Sequence, residues 1–331
     1  MKKAFSSLVI IVAAGLLCFI FFSCYHSQTG SVAGVVEKNS SNYLIDKSVE
    51  NKNWPKNQLI ENAITSIKKS EALSNSDNLQ LYFFNVGQGD SAMIKKDDWE
   101  IIVDGGPDKT ILEKLGKYLA YNDRKIEVII LTHAHADHVN GLVEIMERYQ
   151  VDKIYFNGSI HTSPGYEQFL KIIKEKKINT EIIDKPQEII WDNGIHLQFL
   201  APVKSFYQVR PEQINNSSLV FRLAYGNNNA LFMGDFEEEE SLINFYSSST
   251  LKSQLLKVGH HGSNNANSKE FLSIVSPIFA VISCGKNNKF NHPHYRTLYN
   301  LQQINAQILR TDLFGDIFFI ASTNGFQQIF P

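Results

Sequence analysis

Apolar positions along the chain fall into short runs and alternations that predict many strands with helices between them. Leu79 to Phe84, Ala92 to Lys95 and Glu100 to Val103 read as strands, and the polar turn Lys96-Asp97-Asp98 joins the second pair as a hairpin. Ile111 to Leu119 is expected as a helix, Val128 to Leu131 as a strand and Gly141 to Tyr149 as a helix. The strand Ile154-Tyr155-Phe156, the helix Tyr166 to Lys176 and the strand Glu181-Ile182-Ile183 continue the alternation, which suggests helices layered over a sheet. Ile195, Leu197 and Phe199 alternate with His196 and Gln198, a half-buried strand that keeps its histidine on the polar face. Ala230 to Met233, Leu255 to Val258 and Phe279 to Ser283 are further apolar strands. A helix to about Ile304 follows, and two strands around Asp316 to Ile320 and Phe326 to Ile329 close the chain.

Ahead of this alternation the pattern is different. Met1-Lys2-Lys3 is a positive start, and Leu8 to Phe22 is an apolar run about as long as a signal-peptide core and too short for a full span. Export is expected, with residues 1–24 as signal peptide or membrane anchor and the rest outside the cytoplasm. Phe21-Phe22-Ser23-Cys24 is similar to a relaxed lipoprotein cleavage box, in which Cys24 carries lipid; in the alternative, an uncleaved anchor, Cys24 is incidental. Residues 25–78 turn to Ser, Asn, Lys and Gln and read as a tether. Within it Leu59, Ile60, Ala63, Ile64 and Ile67 recur at helical spacing between Pro55 and Ser70, predicting a short amphipathic helix. Residues 79–331 form the folded domain.

Composition narrows this picture in three ways. An apolar fraction of 43% is enough for a real core. The formal charge of −2 excludes a globally basic nucleic-acid binder, so binding to polyanions has to come from a local site. Cys18, Cys24 and Cys284 give no disulfide framework, and Cys284 reads as a buried small hydrophobe at a strand end.

The candidate chemistry is concentrated in Leu131-Thr132-His133-Ala134-His135-Ala136-Asp137-His138, immediately after the apolar run Val128-Ile129-Ile130. Imidazole nitrogen and carboxylate oxygen suit zinc, iron or manganese, and a tight loop at a strand end can fan them toward one point. Asp90 and Asp104 follow strands and sit beside glycines, where a carboxylate can hold a ligand histidine in one tautomer. The acidic run Glu237 to Glu240 reads as a solvated first helical turn.

The H-x-H-x-D-H string resembles the signature of the metallo-β-lactamase superfamily. Phe84-Asn85-Val86-Gly87-Gln88-Gly89-Asp90-Ser91, Ile102-Val103-Asp104-Gly105-Gly106, Asn216-Ser217-Ser218-Leu219-Val220, Met233-Gly234-Asp235 and Lys257-Val258-Gly259-His260-His261-Gly262-Ser263 follow in order. Together they resemble the metal-hydrolase domain at the C-terminus of ComEC-type DNA-uptake proteins, from about Leu79 onward and without their channel portion.

The resemblance implies an αββα sandwich with two divalent metal ions, zinc or manganese. His133 and His135 would hold one metal, Asp137, His138 and His260 the other, and Asp235 would bridge them. Asp104 and Asp90 would support ligands from behind. Many family members supply a further histidine at the third motif, where this chain has Asn215 and Asn216, a departure ComEC-type domains share; one site would then be weaker and favour manganese. Asp137, His261 and His292, the last in Asn291-His292-Pro293-His294, are the candidates for acting on substrate, with Ser263 beside them.

The leading function is a membrane-tethered phosphodiesterase acting on DNA or RNA, with a DNA-uptake channel protein as a partner. The same chemistry would serve an ester, lactam, lactone or phosphocholine ester, and a degenerate binding module stands as the non-enzymatic alternative.

Overall fold

The computed structural model describes residues 78–322 and 325–329. The expected export segment, Cys24, the helix between Pro55 and Ser70 and nearly all of the tether lie outside the described residues. The first part gives β1 (Leu79–Phe83), β2 (Ala92–Lys96), β3 (Trp99–Val103), β4 (Lys125–Ile130), β5 (Gln150–Phe156) and β6 (Asn179–Ile182). Next come β7 (Gln187–Ile190), β8 (His196–Ala201), β9 (Val220–Tyr225), β10 (Asn228–Phe232), β11 (Leu255–Lys257), β12 (Phe279–Ile282) and β13 (Gln307–Arg310). The last two, β14 (Ile317–Ser322) and β15 (Gly325–Ile329), return to the first sheet, whose order is β15-β14-β1-β2-β3-β4-β5-β6. The second sheet runs β13-β12-β11-β10-β9-β8-β7.

Because successive residues of a strand point to opposite faces, the apolar runs of the central strands supply two cores at once. Ile94, Ile101, Val128 and Ile130 meet Leu197, Phe199, Phe221, Phe232 and Leu255 between the sheets. Phe232 stacks on Phe221 at 4.8 Å and on Phe83 at 5.8 Å, and burying each ring contributes roughly 1.5–3 kcal/mol. Their neighbours Met93, Ile102 and Ile129 face outward and are covered by α1 (Thr110–Tyr118), α2 (Ala136–Arg148) and α3 (Pro164–Lys176). Leu231, Leu256 and Ala280 face outward from the second sheet. They lie under α4 (Glu239–Phe245), α5 (Ser248–Leu251), α6 (Lys269–Val275) and α7 (Tyr295–Gln303), with α8 (Thr311–Phe314) the last helix. The layers are therefore helix, sheet, sheet, helix, as expected.

Strand β3 runs parallel to β4, and β10 runs parallel to β11, which is parallel to β12, so the C-terminal ends within each group open on one edge. The donor-bearing motifs follow β3, β4, β10 and β11 directly, and backbone bonds tie them together: Leu219 N donates to Thr132 O at 2.9 Å and His260 N to Gly234 O at 3.0 Å. The helix expected over Gly141 to Tyr149 starts at Ala136, so Asp137 and His138 occupy its first turn. Strand β7 escaped the apolar pattern because, as an edge strand, it has no fully buried side chain. Among the described residues no helix is long and apolar enough to cross a membrane.

Candidate metal centre

Two groups of donors converge at this edge, each within 4.8 Å: His133, His135 and Asp235, and Asp137, His138 and His261. His133 Nε2 lies 3.0 Å from His135 Nδ1 and 3.8 Å from Asp235 Oδ2. In the second group His261 Nε2 is 3.3 Å from Asp137 Oδ2, and His138 Nε2 is 3.4 Å from Asp235 Oδ1. Asp235 reaches both groups: Oδ2 lies 3.8 Å from His133 Nε2 and 3.6 Å from His261 Nε2, while Oδ1 faces His138. Its position is set by Gly234, which turns the chain at φ +52°, and by its own N–H, which donates to Ser218 Oγ at 3.2 Å.

Hydrogen bonds behind the ligands fix which nitrogen faces forward. Asp104 accepts from Thr132 N (2.8 Å), Thr132 Oγ1 (2.7 Å) and His138 Nδ1 (2.8 Å). Since the Thr132 hydroxyl spends its one proton on Asp104, its contact with His133 Nδ1 at 3.1 Å must be a bond donated by the imidazole. One carboxylate thereby fixes Nδ1 of both His133 and His138 as the rearward donor and turns their Nε2 atoms toward the centre as the candidate ligand atoms. On the other side His261 Nδ1 donates to Ser283 O at 3.0 Å and lies 3.2 Å from Asp90 Oδ1. Asp90 is in turn held by Lys257 Nζ at 2.7 Å.

Close backbone packing brings Asp104 under α2. Gly105 N donates to His138 O at 2.7 Å and Gly141 N to Gly106 O at 3.0 Å, and a Cβ at Gly141 would collide with the Gly105 carbonyl. Asp104 itself takes the left-handed φ of +56°, a conformation costly for a residue with a side chain and retained where surrounding contacts impose it.

The electrostatics are those of a cation site. Burial pushes Asp235 up, yet His261 and His138 outweigh it and hold the carboxyl well below its ordinary value. Burial pulls His138 and His261 down, while Asp235 with Asp104 or Asp90 carries both well above the usual imidazole value, His261 to about 10. His133 falls well below it, through burial and then the neighbouring His138. Among the described residues, the buried His138 Nε2, His261 Nε2 and Asp235 Oδ1 have no hydrogen-bond partner. Leaving such groups unmatched costs about 1–3 kcal/mol each, and a divalent ion between them would satisfy all three. The donor set therefore fits the expected metals.

The grouping differs from the expected one at one position. The resemblance implies His260 for the second metal and His261 for the substrate, but His261 is the residue brought to Asp137 and His138. His260 Nε2 instead stands 3.8 Å from Asp235 Oδ2, with Nδ1 2.6 Å from Glu237 Oε1. Both histidines have left-handed φ, 46° and 51°, in a tight turn whose inward member the string His-His does not reveal. The other candidates divide. His292 is buried at the cleft, its ring 5.3 Å from that of His260, and burial followed by His261 and His260 lowers it to about 4. Asn216 accepts from Glu237 N at 3.0 Å and donates to Glu238 Oε1 at 3.0 Å, supporting the segment after Asp235. Ser263 is buried in its loop, where its hydroxyl accepts from Asn265 N and its carbonyl from Thr297 Oγ1.

Sequence reasoning missed Thr132, Ser218, Glu237 and Lys257. The acidic run is also less solvated than expected: Glu239 is buried and accepts from Asn267 N (2.5 Å) and Ser268 N (2.8 Å). The available signal was a lysine opening Lys257-Val258-Gly259, a charge inside an otherwise apolar strand that demanded a buried partner.

ComE operon protein 3 of Bacillus subtilis is 31% identical over 59% of this chain and 24% of its own length. Competence protein ComA of Neisseria gonorrhoeae is 29% identical over 71% of this chain and 31% of its own. Recombination protein 2 of Haemophilus influenzae is 28% identical over 72% and 28% respectively. The chain thus spans about a quarter to a third of the length of these relatives. The description Metallo-beta-lactamase superfamily matches residues 84–286, and the chain belongs to that superfamily.

Proposed function

We propose that the protein is a metal-dependent phosphodiesterase that cleaves nucleic acid outside the cytoplasm, tethered to the membrane by its N-terminal segment. The observation that carries the chemistry is the set of unpartnered donors around Asp235 on the floor of an open cleft of about 320 Å³. Divalent ions held by His133, His135 and Asp235, and by Asp137, His138 and His261, would polarise the scissile bond and lower the pKa of water toward neutrality. Manganese or zinc suits these nitrogen and oxygen donors, and the first group, without a third-motif histidine, is the weaker. Glu237 holds His260 so that Nε2 faces Asp235, and His292 lies beside it; both line the cleft, where they can orient a phosphate or its leaving oxygen.

A nucleic-acid substrate is supported by the resemblance to ComEC-type DNA-uptake domains and by relatives named as competence and recombination proteins. A channel protein in the same membrane is the partner this reading calls for. The tether rests on the basic start, the apolar run and Cys24. Cell fractionation should place the protein in the membrane with its domain open to added protease, and Cys24→Ser should remove lipid labelling if the anchor is a lipoprotein.

The function is tested by incubating the full-length chain with manganese or zinc and either single-stranded DNA or a simple carboxylic ester. DNA should be cut, chelation should stop cutting, and Asp137→Ala should abolish it while the circular dichroism spectrum is retained. Hydrolysis of the ester alone, or DNA cleavage that survives metal removal, counts against the proposal.

A further inference from the structure

The cleft holds an aromatic group for which the metal chemistry has no use. Phe290 lines it together with His135, Asp137, Asp235, His261 and His292, and its ring is half exposed. It ends a stack that begins at a candidate ligand. The rings of His261 and His292 are 6.1 Å apart at 29°, and those of His292 and Phe290 are 5.6 Å apart at 23°. Lys289 Nζ lies 5.0 Å from the Phe290 centroid, so a cation accompanies the ring.

The loop bearing this ring is well braced. Asn288 Oδ1 accepts from Phe290 N (3.1 Å) and His292 N (3.0 Å), while its Nδ2 donates to Gly285 O (2.9 Å) and His292 O (2.6 Å). One amide therefore ties down the backbone on both sides of Phe290, and an exposed ring on a braced loop loses little conformational entropy when it receives a flat partner.

We infer that Phe290 is a stacking platform for a nucleobase next to the bound phosphate, which directs the centre toward single-stranded nucleic acid. The inference rests on the phosphodiester reading of the same site and names what that reading leaves open. A nucleotide presents an anion and a flat ring a short distance apart, and the cleft offers metal donors and a flat ring beside a lysine within one small space. A paired base has both faces occupied by its neighbours in the duplex, whereas a base of a single strand is free to stack on an aromatic side chain.

The test measures binding of the metal-loaded full-length chain to hydrolysis-resistant phosphorothioate strands by fluorescence anisotropy. The strands are oligothymidylate, an abasic strand of equal length and charge, and a duplex. The unaltered chain should bind oligothymidylate about tenfold more tightly than the abasic strand, in keeping with one base–aromatic stack. Phe290→Ala should lose that factor on oligothymidylate and bind the abasic strand unchanged, and Phe290→Trp should restore it. Phe290→Ala that discriminates as the unaltered chain does, or that weakens both strands equally, overturns the stacking role alone. Failure of the unaltered chain to bind any strand overturns the phosphodiester reading with it.

Discussion

Asp90 and Lys257 meet at 2.7 Å, almost wholly buried, and this pair joins two stretches of chain 167 positions apart. Burial pushes the Asp90 carboxyl up, but Lys257 and then His261 bring it down to about 2, so Asp90 is a carboxylate at neutral pH. Its reach extends to the metal centre, because the other Asp90 oxygen lies 3.2 Å from His261 Nδ1.

Lys257→Met should therefore act on both stability and metal binding. Stripping one partner from a buried ion pair costs about 3–5 kcal/mol, equivalent to a fall on the order of 10 °C in Tm for a domain of this size. The second donor group should also lose affinity for manganese, read by calorimetric titration, and Lys257→Arg should recover part of it. A variant with normal metal affinity and only a lower Tm would reduce Lys257 to a structural role.

Gly141→Ala should be disproportionately harmful for so small a change. The added methyl falls against the Gly105 carbonyl and forces α2 away from the turn that carries Asp104. Overpacking of this kind costs about 1–3 kcal/mol, and because His138 depends on Asp104, metal affinity should fall as well. Gly116→Ala on α1, where none of the described residues lies within 4 Å of the new Cβ, is the control and should be neutral or stabilising.

A buried carboxylate away from the centre predicts a pH effect. Burial raises Glu100 from 4.5 to about 7, against the opposing pull of its partner Lys95. The folded chain then keeps a proton that the unfolded chain has already released, so between about pH 4.5 and 7 this residue makes stability fall as pH rises. Glu100→Gln removes that slope. The Tm of the variant minus that of the parent should increase from pH 5 to pH 8, and a difference that is flat or declines would contradict the assignment.

The alternating and continuous apolar runs already contained most of this architecture, since Ile94, Ile101, Val128 and Phe232 sit in the strands their neighbours predict. The donors were legible because imidazoles and carboxylates crowd at strand ends. What could not be read was how the site is wired. His260 and His261 differ by one position in a turn with left-handed backbone, and only the folded chain shows which of them Ser283 holds inward. Lys257 and Asp90, or Glu237 and His260, are likewise ordinary charges in the sequence and become partners only when the two sheets stack.

The most direct test of the account is metal content by mass spectrometry after manganese loading and desalting, compared across the full-length chain, His261→Ala and His260→Ala. The second donor group should empty in His261→Ala, lowering bound manganese by about one equivalent per chain, while His260→Ala retains the content of the parent. The reverse pattern, with His260→Ala losing metal and His261→Ala keeping it, would contradict the centre described around Asp235.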